Sequence, residues 1–153
     1  MLFRSQWVFF TDESDMVSFN GGVNVGNFLS GDYRNPFGTV TFRPSSAFSA
    51  SVRLDHNDVD LAEGSFKENV LGLRLSWFLT PNTSLQSLTQ YADRADLWST
   101  NVRFSWLDDA GSGLFLVFNQ ASPATRMSSL RLGDPLSRSF VVKYSKLLNV
   151  ARW

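Results

Sequence analysis

Apolar and polar residues alternate along most of this chain, which is the period expected of β-strands that have one apolar face. The clearest stretch spans residues 98–106, where Ser99, Asn101, Arg103 and Ser105 separate apolar or aromatic side chains. Its other face consists of Trp98, Thr100, Val102, Phe104 and Trp106. The pattern therefore predicts a strand with a polar side and an aromatic-ended apolar side.

The same alternation recurs in several other stretches, strongly at residues 48–54 and 71–79 and more weakly at 17–25, 40–42 and 140–144. Residues 84–91 also fit a helical spacing, and we assign them to a strand because their neighbours are strands. The fold class predicted is all-β, an antiparallel up-and-down meander of about eight to nine strands. A chain of 153 residues allows one such domain, spanning residues 1–153.

Turn signals separate the predicted strands and come in two lengths. Residues 44–46, 81–83 and 108–112 predict short turns, whereas residues 29–36, 58–65 and 120–137 predict long loops. The pair Gly21 and Gly22 predicts a bulge or bend. Counting strands back from the C-terminus gives an odd number. We therefore expect either an open, curved sheet whose first and last strands do not pair, as in an N-terminally truncated barrel, or a closure that leaves the first segment out.

Composition and charge narrow the classes of function. Lys plus Arg equals Asp plus Glu, at 14 each, so no basic field favours a nucleic-acid partner. The absence of cysteine removes thiolate catalysis and cysteine-ligated metals, and the single histidine disfavours a histidine-rich metal site. No cofactor, metal or enzymatic activity is predicted. Charged residues make up only 18%, below the roughly 25% of soluble domains, while aromatic residues reach 14%.

A transmembrane β-barrel explains both faces of the strands, with lipid outside and a wet lumen inside. Because period two does not distinguish inside from outside, a soluble lipocalin-like barrel holding an apolar ligand is the alternative. In the membrane interpretation, the side chains predicted to line the lumen are Arg53, Asp55, Arg74, Asn101 and Arg103. Those predicted to face lipid or form the aromatic girdle are Trp77, Trp98, Phe104, Trp106 and Tyr144.

Five stretches also carry a family resemblance, namely residues 42–45, 57–66, 89–91, 97–106 and 113–119. In order and spacing they resemble the uncharacterised C-terminal outer-membrane β-barrel domain of bacterial proteins that carry an upstream carbohydrate-binding module of family-nine type. The resemblance covers roughly residues 16–148. It implies a Gram-negative outer-membrane location and a link to polysaccharide use or surface display, with no catalytic residues to carry over.

The function predicted is therefore a membrane anchor or passive pore. Its expected partners are outer-membrane lipid, the barrel-assembly machinery acting on the C-terminal strand with the terminal Trp153 as its signal, and polysaccharide. His56 beside Asp55 and Asp58 suggests an outer-membrane hydrolase as a further alternative, although no Gly-x-Ser-x-Gly motif accompanies it. The spacing of the carboxylates between residues 55 and 63 departs from that of an EF-hand calcium loop.

Overall fold

The structure, a computed structural model, describes residues 4–108, 112–124 and 135–147, without the side chain of Phe28. These residues form nine β-strands: β1 Arg4–Phe10, β2 Val17–Phe28, β3 Gly31–Ser45, β4 Phe48–Leu61, β5 Gly64–Thr80, β6 Thr83–Ala92, β7 Leu97–Leu107, β8 Gly113–Pro123 and β9 Ser137–Ser145. No helix in these ranges is long and apolar enough to cross a membrane.

All nine strands belong to one antiparallel sheet in which each strand pairs with the next in the chain. The sheet is open, and β1 and β9 are its two edges. The predicted all-β meander and the predicted lack of pairing between the first and last strands are therefore confirmed. The ambiguous stretch at residues 84–91 forms β6, which pairs over its whole length with β7.

Two of the predicted long loops are wrong. Residues 29–36 and 58–65 lie mostly in β3, β4 and β5, which meet their neighbours through the two-residue turns 29–30 and 62–63. The alternation continues through both stretches, but the apolar side chains move to the opposite face of the sheet. A search for one continuous apolar face therefore ends too early. The third predicted loop also begins later than expected, because β8 extends to Pro123.

The predicted bulge at Gly21 and Gly22 is wrong as well. Both glycines pair in regular register with β1 and β3, and the shifts in register lie instead between residues 42 and 45 and between residues 78 and 80. Gly22 is required for a different reason, because a Cβ there would lie 2.1 Å from the backbone oxygen of Trp7. Glycine thus permits a close approach between β1 and β2.

The described part of the chain contains almost no conventional core. Val59 is its one buried hydrophobic side chain, at 3% exposure, whereas many large apolar side chains along the strands are exposed. A single sheet has nothing of its own to cover these side chains. The described residues therefore leave one broad apolar surface without a protein partner.

Candidate functional site

The register assigns every strand residue to one of two faces, because residues directly opposite each other in neighbouring strands share a face. We call the face that carries Trp98 the apolar face and the other the polar face. The five predicted lipid-facing residues all lie on the apolar face: Trp77, Trp98, Phe104, Trp106 and Tyr144. The five predicted lumen residues all lie on the polar face: Arg53, Asp55, Arg74, Asn101 and Arg103.

The apolar side chains of the apolar face form a band that crosses all nine strands. On β5 the band runs from Leu71 to Leu79, which is about 26 Å along the strand at roughly 3.3 Å per residue. Aromatic residues lie near both of its borders: Tyr91 stacks on Trp98 at one border, with ring centroids 5.0 Å apart, and Trp106 and Tyr144 lie at the other. A tall apolar band with aromatic borders is typical of the outer surface of transmembrane barrels.

The band crosses the strands obliquely. Its upper border, beyond which the apolar face becomes polar, lies at Val25 on β2 and at Phe118 on β8. Directly opposite residues can be followed from Phe118 on β8, strand by strand, to Val17 on β2. The row passes through Val102, Ser87, Leu75, Ala50 and Phe42. The border on β2, at Val25, therefore lies eight residues away from the end of this row. On the strands between, the border lies at Pro36, Leu54 and Leu71.

This offset gives an angle between the strands and the normal to the band. Eight residues correspond to about 26 Å along a strand, and the six steps from β2 to β8 correspond to about 29 Å across the sheet. The strands therefore tilt by about 40° from the normal to the band, within the 35–45° typical of membrane barrels.

Above this border, the polarity of the two faces reverses on β3, β4 and β5. The apolar face there carries a row of charges, Arg34, Asp58 and Lys67, and the next row consists of Asp32, Asp60 and Ser65. The polar face at the same height carries Tyr33, Val59 and Phe66. We call this part of the sheet the extension. The guanidinium of Arg94 lies 4.2 Å from the ring centre of Phe66 and so covers part of this group of apolar side chains on the polar face.

The polar face of the band carries hydrogen-bonded and charged side chains. Arg53 donates two hydrogen bonds to Asp55, at 2.6 and 2.7 Å, and its guanidinium lies 5.3 Å from the ring centre of Phe37. Asn101 donates to Asn119, whose amide donates in turn to Ser139 at 3.1 Å. Such groups are costly in hydrocarbon and acceptable in water, so this face suits a hydrated space.

A chain of hydrogen bonds lies at the upper border of the band. Nδ1 of His56 and Oδ1 of Asn69 are 2.5 Å apart, and Asn69 donates to Asp93 through both its side-chain amide and its backbone N–H, the latter at 2.7 Å. These hydrogen bonds, with the backbone one first, lower the pKa of the Asp93 carboxyl below its ordinary value of 3.8. No serine hydroxyl of the described residues is hydrogen-bonded to His56, so the hydrolase alternative gains no nucleophile here.

We expect the Asp93 carboxyl to titrate below pH 3.8 in the folded chain, and to return towards that value in Asn69→Leu, which removes the side-chain donor. A carboxyl with a lowered pKa stabilises the fold above its ordinary pKa, and this contribution is lost as the pH falls through the folded value. Carbon-13 NMR titration of labelled aspartate checks the midpoint. A midpoint that Asn69→Leu leaves unchanged would show that the side-chain amide of Asn69 does not contribute to the lowered pKa.

The carboxylates considered for calcium do not converge. Asp55 lies on the polar face, Asp58 and Asp60 lie on the apolar face of the extension, and Glu63 lies in the β4–β5 turn, where it accepts a hydrogen bond from Ser30 at 2.5 Å. Within the described ranges, no cluster of three or more acidic, histidine or cysteine side chains is arranged to hold a metal ion.

Comparisons with protein families, with curated proteins and with solved structures found no match for this chain. The family resemblance therefore stays a prediction. The predicted assembly signal Trp153 lies outside the described residues, whereas the predicted last strand is β9.

The sequence analysis missed the charged side chains above the band, Arg34 and Lys67 among them, because it placed residues 29–36 and 58–65 in or beside loops. A signal was available in the sequence. Tyr33, Val59 and Phe66 continue the alternation at the positions next to the charged residues, with the phase reversed.

Proposed function

We propose that this chain forms part of the wall of an outer-membrane β-barrel and acts as a membrane anchor or a passive pore. The observation that carries the proposal is the oblique apolar band, whose angle of about 40° to the strands matches the strand tilt of membrane barrels. Strands that cross a bilayer at this tilt need about nine to eleven residues each, and the band on β5 and β7 is nine residues long.

The exposure of the two faces supports lipid rather than an internal ligand on the apolar face. The polar face contains side chains that are nearly inaccessible to solvent, among them Val59, Asn24 and Asn35. The apolar face contains large side chains that are 56–63% exposed, among them Trp7, Leu54 and Phe140. Side chains crowd on the inner side of a curved sheet and spread on the outer side. In a lipocalin-like barrel the apolar face would be the crowded one, so the soluble alternative fits less well.

Parity favours a wall with more strands than these nine. In an antiparallel meander, β1 and β9 run in the same direction, so direct closure would create one parallel pair. Bacterial single-chain barrels have even strand numbers and antiparallel neighbours throughout. We therefore place additional strands between β9 and β1 in the complete ring. The polar face would then line the lumen, with Arg53, Asp55, Arg74, Asn101 and Arg103 among its residues.

Tryptophan fluorescence tests this proposal directly, because Trp7, Trp77, Trp98 and Trp106 all lie on the apolar face. After refolding into phosphatidylcholine vesicles, we expect lipids with brominated acyl chains to quench most of the tryptophan emission, and aqueous iodide to quench little of it. Trp153→Phe removes the one tryptophan outside the described residues and serves as the background for the measurement. Strong iodide quenching without bromine quenching, or a chain that stays monomeric in water without lipid or detergent, would contradict a membrane wall.

A further inference from the structure

Three cations lie just beyond the upper border of the apolar band on the apolar face. Arg34 is two residues beyond Pro36 on β3, Lys67 is four residues beyond Leu71 on β5, and Arg138 is two residues beyond Phe140 on β9. At a tilt of about 40° and roughly 3.3 Å per residue, these backbone positions lie about 5–10 Å above the band. If the band spans the hydrocarbon core, this is the height of the lipid headgroups.

These side chains are available to a ligand. All three residues are exposed, and the Lys67 side chain is 67% accessible even though its Nζ lies 3.1 Å from Asp58. Within the described ranges, neither Arg34 nor Arg138 forms an ion pair, and Arg138 makes only a 3.3 Å hydrogen bond to the Gln120 amide oxygen. Guanidinium and ammonium groups bind phosphate oxygens well, the former through paired N–H donors.

We infer that Arg34, Lys67 and Arg138 bind the phosphate groups of the lipid headgroups that border the apolar band. The inference rests on the proposed function, because it takes the apolar face as lipid-facing. It adds the class of lipid, which is phosphorylated and anionic, and it assigns this end of the sheet to the phosphate-rich leaflet. The row that contains Arg34, Asp58 and Lys67 has a net charge of +1, whereas Asp32 and Asp60 form an acidic row one step further from the band. The positive row is thus the one nearer to the phosphates.

The polar face offers a matched control. Arg74, Arg103 and Lys143 are also two arginines and one lysine, and they are also exposed, but they project from the opposite face. The triple variant Arg34→Gln, Lys67→Gln, Arg138→Gln therefore removes the same charge as Arg74→Gln, Arg103→Gln, Lys143→Gln. Only the first variant removes cations from the proposed lipid surface.

The experiment titrates the refolded, detergent-solubilised chain with diphosphoryl lipid A and counts bound lipids by native mass spectrometry. We expect wild type and the polar-face triple to bind lipid A with similar affinity. We expect the apolar-face triple to bind at least about tenfold more weakly, since it loses all three cations that face the anionic headgroups. Inorganic phosphate at about 10 mM is added as a competitor. Free phosphate that displaces lipid A would show a simple anion site in place of a headgroup surface and would overturn the inference.

Two other results would also overturn it: equal losses in both triples, which would reflect net charge alone, or no loss in either. Circular dichroism and resistance to heat unfolding check that both triples refold. Bromine quenching of the wild type separates the inference from the proposed function. If the wild type enters phosphatidylcholine vesicles but binds lipid A no more tightly than the apolar-face triple does, the proposed membrane wall stands. Only the inferred phosphate-binding surface is then contradicted.

Discussion

We expect Leu73→Arg to reduce the free energy of unfolding from a phosphatidylcholine bilayer by about 1–3 kcal/mol, because an arginine on the lipid face costs about 2–4 kcal/mol at the midplane and less towards the interfaces. Leu73 lies on the apolar face of β5, between the border residue Leu71 and the middle of the band at Leu75, and is 40% exposed in the sheet alone. On a solvated face an exposed leucine is replaced by arginine at little cost, because the guanidinium stays in water. The size of the effect therefore reports what covers the apolar face.

Gln90→Arg is the control for this substitution. Gln90 lies on the neighbouring strand β6, on the polar face, opposite Gly72 and Ser99. Its replacement adds the same charge at a similar height but points it to the other side of the sheet. We expect a change of less than about 0.5 kcal/mol. Urea unfolding in vesicles measures both variants, and similar small losses in the two would argue that water covers both faces.

The alternation of side chains predicted much of this fold because a strand's period is set by covalent geometry and does not depend on distant contacts. It predicted opposite faces for Trp98 and Arg103, and likewise for Trp77 and Arg74. In the register, the two tryptophans share the apolar face and the two arginines share the polar face. The open edges also followed from counting turns. Within the band the pattern is simple, since each face keeps one polarity over the full height of the band.

The extension was beyond this reasoning for a physical reason. Above the band, Asp58 and Lys67 occupy the positions that leucines hold within it, while Val59 and Phe66 lie on the opposite face. The period persists but its phase reverses, and a rule that follows one apolar face interprets the reversal as a loop. The tilt of the band was likewise inaccessible, because it depends on which residues of neighbouring strands lie opposite each other.

The approach of β1 to β2 gives the second large effect. We expect Gly22→Ala to lower the free energy of unfolding by about 1–3 kcal/mol, the usual cost of forcing atoms into filled space. The added Cβ would lie 2.1 Å from the backbone oxygen of Trp7 and 3.1 Å from the Cα of Val8, and neither backbone atom moves without shifting β1. Because β2 is the one partner of β1 among the described strands, β1 is the strand that we expect to yield.

Gly38→Ala provides the comparison, since a Cβ there meets only the Phe19 ring at 3.6 Å, an ordinary contact. We expect this variant to unfold within about 0.5 kcal/mol of wild type. Hydrogen exchange locates the damage: in Gly22→Ala, protection should fall first at the amides of β1 that pair with β2, while β4 and β5 keep theirs. Equal stability of the two alanine variants would mean that the backbone of β1 lies further from Gly22 than the 2.1 Å approach to the Trp7 oxygen requires.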